Sequence, residues 1–264
     1  MDLGVTGKNV LVTGGSGGLG LAAGRVLRDE GAKVTLSDMD ADGLQASARD
    51  LGEDVDHAAA DLTRPEDIDR LAELMSGKGG CDILVHAAGV TGEKGDPLDM
   101  SDTEYHRVWE TNFMSAVRMG KRMIPQMVEK GWGRMVCVTS ENAVQPYWNE
   151  AVYNTAKAAL LNWVKGASFV YGPKGVLMNT VAPAFVESPM TDYMMEMRAD
   201  EMGVSREKAI ETFLEEERPY LTLKRRGQPE EVAAVIALLC SDRATFTNGS
   251  AYRVDGGAVA AMNT

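Results

Sequence analysis

Cysteine is scarce: three in 264 residues, Cys81, Cys137 and Cys240, an odd number set far apart in apolar or mixed runs. That argues against a disulfide framework and against a thiolate metal site, and it suits reduced thiols in a cytoplasm. No apolar run reaches membrane-spanning length, and no cationic start followed by an apolar core marks a leader, so the expectation is a soluble, cytoplasmic protein. Positive charge is short too. The 27 Lys and Arg are outnumbered by 39 Asp and Glu, for a formal net charge of −12. This argues against nucleic acid or an anionic membrane as partner and, less strongly, against an acidic carrier protein. Repeats, low-complexity tracts and linkers are also missing, so residues 1–264 read as one domain. Hydrophobic residues at 44% and charged residues at 25% are ordinary for a globular core.

What is present begins with a short apolar strand at 8–13 that runs directly into Gly14-Gly15-Ser16-Gly17-Gly18-Leu19-Gly20 and then into a helical pattern over 21–30, stopped by Gly31. Glycines let the backbone approach a pyrophosphate closely, and the helix N-terminus offers free N–H groups and a positive dipole end. A second strand, 32–37, ends at Asp38 with Met39 beside it. A carboxylate about twenty residues past such a turn bonds both hydroxyls of an adenosine ribose and repels a 2′-phosphate. Ser16 and Ser37 stand where a basic residue would accept that phosphate, so the pattern favours NAD over NADP. The competing reading has Asp38 capping the helix that follows.

Further strands are expected at 55–60, 82–85, 133–139, 176–181 and 251–254. Helices are expected at 65–75, 102–130, 151–171 and 229–240, with Pro65 at a favourable first-turn position. This alternation predicts a parallel α/β sheet covered on both faces. His86, a lone histidine at a strand end, reads as structural. The stretch 189–223 breaks the rhythm and carries Met190, Met194, Met195, Met197 and Met202 among many charges. Two short helices forming a lid over a substrate fit it, since methionine adapts to variable apolar shapes; plain packing of a surface helix pair fits it equally.

Tyr153 and Lys157 are four apart and share one face of the 151–171 helix. An ammonium beside a phenol favours the ionised form and brings its pKa down from about 10, so the pair could move a proton to or from an alcohol oxygen. Ser140, just after the 133–139 strand, is placed to bond the same oxygen.

Together these residues resemble the short-chain dehydrogenases/reductases across essentially the whole chain. The run Thr13 to Gly20 is similar to the family's Thr-Gly-x-x-x-Gly-x-Gly cofactor turn, and Asp61, with Leu62, to the segment contacting the adenine. His86-Ala87-Ala88-Gly89 resembles Asn-Asn-Ala-Gly with both asparagines replaced. Asn112, Ser140, Tyr153 and Lys157 match the catalytic tetrad in order and spacing. The segment from Pro183 through Val186 to Ser188 resembles the nicotinamide cradle, with Ala184 where glycine is usual, and Val254-Asp255-Gly256-Gly257 the closing motif.

The resemblance implies a Rossmann-type, doubly wound, mostly seven-stranded parallel sheet, a homo-oligomer (tetramer or dimer), and direct hydride transfer with NAD and no metal. It makes Tyr153 the general acid/base and has Lys157 lower its pKa and hold the nicotinamide ribose. Ser140 orients the substrate oxygen, and Asn112 holds a water linking Lys157 to solvent. The substrate is expected to be a largely apolar small molecule, a secondary alcohol or ketone, with Asn142, Ala143, Val144, Trp148, Phe185, Met190 and Met194 around it. Two alternatives stand beside this reading. One is an NADPH-dependent 3-oxoacyl-thioester reductase whose carrier docks on Lys121-Arg122 or Lys224-Arg225-Arg226. The other is a non-catalytic dinucleotide-binding sensor or scaffold. Glu141, a carboxylate beside the catalytic serine, is a departure: it points into an interface, or it favours a cationic or hydroxyl-rich substrate.

Overall fold

The computed structural model describes residues 2–262. The strands are β1 (Asn9–Thr13), β2 (Lys33–Asp38), β3 (Asp56–Ala59), β4 (Ile83–His86), β5 (Gly133–Val138), β6 (Val176–Pro183) and β7 (Ala251–Val254). They form one seven-stranded sheet in the order β3-β2-β1-β4-β5-β6-β7. Every neighbouring pair is parallel. Helices α1 (Gly18–Asp29), α2 (Ala41–Leu51), α3 (Pro65–Gly77), α4 (Asp102–Trp109), α5 (Ser115–Glu129) and α6 (Ala151–Tyr171) follow the strands in turn, then α7 (Pro189–Met202), α8 (Arg206–Glu216) and α9 (Pro229–Cys240).

The inner strands β1, β2, β4, β5 and β6 are largely apolar and buried on both faces, and alternate residues feed two separate cores. Val10, Val12, Leu36, Ile83, Val85 and Val136 join α1, α2 and α9 on one side. Leu11, Leu84, Met135, Cys137 and Met178 meet α3, α5 and α6 on the other. The strand order reverses between β1 and β4, which opens a crevice at the carboxyl ends of the strands where such sheets take ligands.

Three local features differ from the sequence reading. The helix after β2 is capped by Asp40, whose Oδ1 accepts from Gly43 N at 3.1 Å, so Asp38 is released from that duty. Residues 102–130 are two helices joined by one π-turn, Glu110–Met114. Asn112 sits in it: its Nδ2 donates to Val108 O at 3.0 Å and to Val90 O at 2.9 Å, while Oδ1 accepts from Val90 N at 3.2 Å. The widened turn turns this side chain toward the loop after β4, a use of π-turns common at functional sites. Finally, β6 extends through Pro183, which carries the strand to the rim of the crevice.

Helices α7 and α8 stand over that crevice on a core of their own, made of Phe185, Met195, Phe213, Leu214, Leu221 and Ala258. The Phe185 and Phe213 rings lie 4.7 Å apart. Ser188 begins α7 with a capping box closed by Thr191. The buried Arg226 pins this end, donating from Nη2 to Thr191 Oγ1 at 2.6 Å and pairing with Asp192 at 2.8 Å. Of the methionines in this stretch Met195 is buried packing, whereas Met190, Met197 and Met202 are partly exposed.

Candidate active site

A cavity of about 490 Å³ runs along the strand ends and is lined by Gly14, Ser16, Gly17, Gly18, Leu19 and Gly20 from the glycine turn. Asp38, Met39, Asp61, Leu62, Ala87, Ala88, Gly89, Pro183, Val186 and Ser188 also line it. The turn has the shape of an anion cradle. Gly14 has φ +70°, and a Cβ there would sit 2.8 Å from Ala88 N; one at Gly20 would lie 2.1 Å from Gly14 O. No side chain caps α1, so its first N–H groups and positive dipole end are left for an anionic ligand. These features fit the pyrophosphate of a dinucleotide.

Asp38 ends β2 at the cavity edge, where its Oδ2 accepts from Ser16 N at 3.1 Å and Ser16 Oγ at 2.7 Å. Ser37 is buried and is not among the lining residues; Met39, 73% exposed, is the neighbour at the rim instead. Asp61 is fixed by its own turn, with Oδ1 accepting from Thr63 N and Oγ1 at 2.9 and 2.7 Å.

At the inner end the cavity meets Asn112, Ser140, Tyr153 and Lys157. The fit is tight: a Cβ on Gly89 would lie 2.6 Å from Asn112 Oδ1 and 3.3 Å from Lys157 Nζ. Lys157 is 3% exposed. Its Nζ donates to Val138 O at 2.9 Å and lies 5.6 Å from the centroid of the Tyr153 ring. Burial pushes its pKa down to about 8, so the ammonium is easily discharged. His86 lies behind this wall, its ring between Thr13 Oγ1 at 3.0 Å and Ser115 Oγ at 3.1 Å. Burial, reinforced by Lys157, pushes its pKa down to about 3, and a neutral ring stapling β1 to α5 needs no catalytic account.

The Tyr153 pKa runs opposite to the expectation from helix spacing: it is raised, first by burial and next by the Glu141 carboxylate, with only partial relief from Ser140. The ammonium at the Tyr153 ring does not outweigh these, because Lys157 is itself desolvated and spends its hydrogen bond on Val138 O.

A second chamber, of about 530 Å³, adjoins the first and shares Ser140 and Tyr153 with it. Asn142, Phe185, Met190 and Met194, the residues expected around a substrate, line it. Ala143, Val144 and Trp148 do not, and Trp148 is 73% exposed. Sequence reasoning missed Lys94, Glu150 and Arg218, which lie on the chamber wall. No local signal marks them; only the odd carboxylate at 141 hinted that charge is buried here.

Among the described residues no group of three or more His, Cys, Asp or Glu is placed to hold a metal ion, and no helix is long and apolar enough to cross a membrane. The basic clusters weighed as carrier docks are largely used up. Arg122 pairs with Asp69 at 2.5 Å, Arg225 is bidentate to Glu231 at 2.7 and 2.8 Å, and Arg226 is buried against Thr191 and Asp192.

Known proteins agree with this geometry. The family model described as enoyl-(acyl carrier protein) reductase matches residues 13–259. The 3-oxoacyl-[acyl-carrier-protein] reductase FabG of Vibrio cholerae is 31% identical over 252 residues, covering 95% of this chain and 97% of that one. The structure of L-sorbose reductase from Gluconobacter frateurii, complexed with NADPH and L-sorbose, superposes with TM-score 0.93 at 34% identity, covering 99% of this chain and all of that one. A 3-ketoacyl-(acyl-carrier-protein) reductase from Brucella melitensis, complexed with NADH, gives 0.84 at 26% identity, covering 96% and 99% of the two chains. Sheet, cradle and relatives define an oxidoreductase that works with a nicotinamide dinucleotide. The chain belongs to the short-chain dehydrogenase/reductase family.

Proposed function

We propose that the protein is an NAD-dependent dehydrogenase of a secondary alcohol, acting in reverse as a ketoreductase. The observation that carries this is the meeting of two chambers at Ser140 and Tyr153: one has the form of a dinucleotide crevice, the other room for a small substrate, so a reacting carbon between them touches both. The bound dinucleotide supplies or accepts the hydride. Tyr153 gives its proton to the ketone oxygen in reduction, and its raised pKa keeps the phenol protonated for that step. Ser140 Oγ holds the substrate oxygen, and Lys157 holds the nicotinamide ribose. Asn112 fixes the loop after β4 against both. The chamber pairs an apolar face of Phe185, Met190 and Met194 with the polar Ser140 and Asn142 and the charged Lys94, Glu141, Glu150 and Arg218, which suits a ketone of mixed character. We further take the chain to act as one domain in a cytoplasmic homo-oligomer.

Selection of NAD rests on Asp38. With its carboxylate at the cavity edge, a 2′-phosphate meets a negative charge. Replacing Asp38 with Ala is expected to cut the preference for NADH over NADPH by about tenfold or more, roughly the worth of one lost charge contact at a partly exposed site. An unchanged ratio of kcat/KM values removes Asp38 from that role.

A second reading, an NADPH-dependent 3-oxoacyl-thioester reductase, is favoured by the likeness to FabG. One assay separates the two: NADH and NADPH oxidation followed with a panel of free linear, cyclic and hydroxylated ketones and with a short 3-oxoacyl thioester. Ketone turnover with NADH supports the first reading, and thioester turnover with NADPH replaces it.

A further inference from the structure

One buried carboxylate has no part in hydride or proton transfer. Glu141, 3% exposed, follows Ser140 directly and lies on the wall of the second chamber. Its Oε2 accepts the Ser140 hydroxyl at 2.8 Å, and Asn142 Oδ1 offers that hydroxyl an alternative at 3.0 Å. Across from it, Arg218 Nε lies 3.4 Å from Glu141 Oε1, while Nη2 of the same guanidinium is 3.1 Å from Glu150 Oε1. Arg218 stacks 3.5 Å from the centroid of Tyr147 and comes from the stretch just after α8, within the lid segment. The groups facing Glu141 are thus Arg218, Glu150, Tyr147 and Tyr153, with Lys94 behind them bound to Glu150 at 2.8 Å.

A serine hydroxyl has one proton. While Glu141 is ionised it accepts the hydrogen bond that this proton makes, the proton staying on the serine, and toward any other partner Ser140 Oγ can only accept: it can hold the phenol of Tyr153 or the hydroxyl of an alcohol. Once Glu141 is protonated it donates to Ser140 Oγ, which frees the serine proton for a ketone oxygen. We propose that Glu141 is a positioning residue that sets whether Ser140 donates or accepts toward the substrate, and that Arg218 ties this setting to the lid. Withdrawal of the lid takes the guanidinium away from Glu141 and leaves its carboxyl in the donating form. The balance lies within ordinary conditions: burial raises the Glu141 carboxyl to about 7, with Arg218 pulling it back.

The inference rests on the ketoreductase reading, so the test has two arms. In the first, kcat/KM for a ketone is followed from about pH 6 to about pH 8.5 in wild type and Glu141→Gln. The ratio of wild type to variant is expected to fall by about tenfold as pH rises through 7, with the loss in the ketone's KM and kcat rather than in the KM for NADH, because Glu141 does not line the dinucleotide cavity. Any loss caused by discharge of Lys157 near 8 occurs in both proteins and cancels in the ratio. Arg218→Met is expected to move the Glu141 limb to higher pH. A ratio that stays constant with pH overturns the proposal. The second arm needs no turnover: the carbonyl stretch of protonated Glu141, read by infrared difference spectroscopy and identified by its loss in Glu141→Gln, is expected to shift in Ser140→Ala. An unshifted band overturns the proposal even if no ketone is a substrate, whereas a shifted band with no ketone turnover sustains it and sinks the ketoreductase reading alone.

Discussion

Replacing Tyr153 with Phe is expected to lower kcat by about 10²- to 10⁴-fold, the usual worth of a positioned proton donor, while NADH affinity stays within about twofold. The separation follows from the geometry. The phenol ring stays as a wall of both chambers, and Lys157 keeps its bond to Val138 O; only the hydroxyl facing the substrate is lost. Stopped-flow NADH binding and steady-state rates on the same preparation check both halves. Turnover near the wild-type rate would falsify the assignment of Tyr153 as proton donor.

Lys157→Met has two expected effects of opposite value. Turnover and NADH affinity both fall, since the residue lines the dinucleotide cavity beside Tyr153 and Asn112. Stability rises. The ordinary lysine pKa of 10.5 drops to about 8 in the folded chain, so below pH 8 the native state carries a desolvated charge that the unfolded state holds in water. That penalty is on the order of 3 kcal/mol. Methionine removes it at the cost of an unpaired Val138 carbonyl, about 1–2 kcal/mol, for a net rise in Tm of about 2–6 °C. The sign of the pH dependence is fixed: with the folded pKa below the unfolded one, the penalty is complete below pH 8 and shrinks as pH rises toward 10.5. The Tm advantage of the variant must therefore narrow between about pH 7 and about pH 9.5. A variant less stable than wild type at neutral pH, or an advantage that widens with pH, contradicts this account. The pattern is a stability–activity trade-off located in one ammonium.

How much of this was written in the sequence depends on how far each feature reaches along the chain. The turn from Gly14 to Gly20, Asp38 at the end of β2 and the spacing of Tyr153 and Lys157 are short-range patterns tied to one turn, strand or helix, and all of them line one cavity. Helix bounds also hold where caps and prolines mark them, as at Pro229–Cys240. Ser37 escaped because a strand buried on both faces gives no solvent signal to say which residues face a ligand. The Tyr153 proton affinity escaped because burial, its largest cause, is a property of the assembled fold, and because Glu141 and Arg218 act on it from segments other than its own helix. The π-turn at Asn112 interrupts an apolar pattern that a straight helix would satisfy equally well.

The small core beneath α7 and α8 has a bearing on how the protein can change. Phe185, Met195, Phe213, Leu214 and Leu221 form a cluster of their own, apart from both cores flanking the sheet. Substitutions that are far apart and share no partners combine additively. Replacements at Met190, Met194 or Met197 on the lid therefore sum with changes around Leu11 or Val12 in the sheet instead of amplifying them. On the proposed reading of the second chamber as the substrate site, substrate preference can then drift over many generations on an inherited redox chassis, one methionine at a time, without the fold having to be rebuilt.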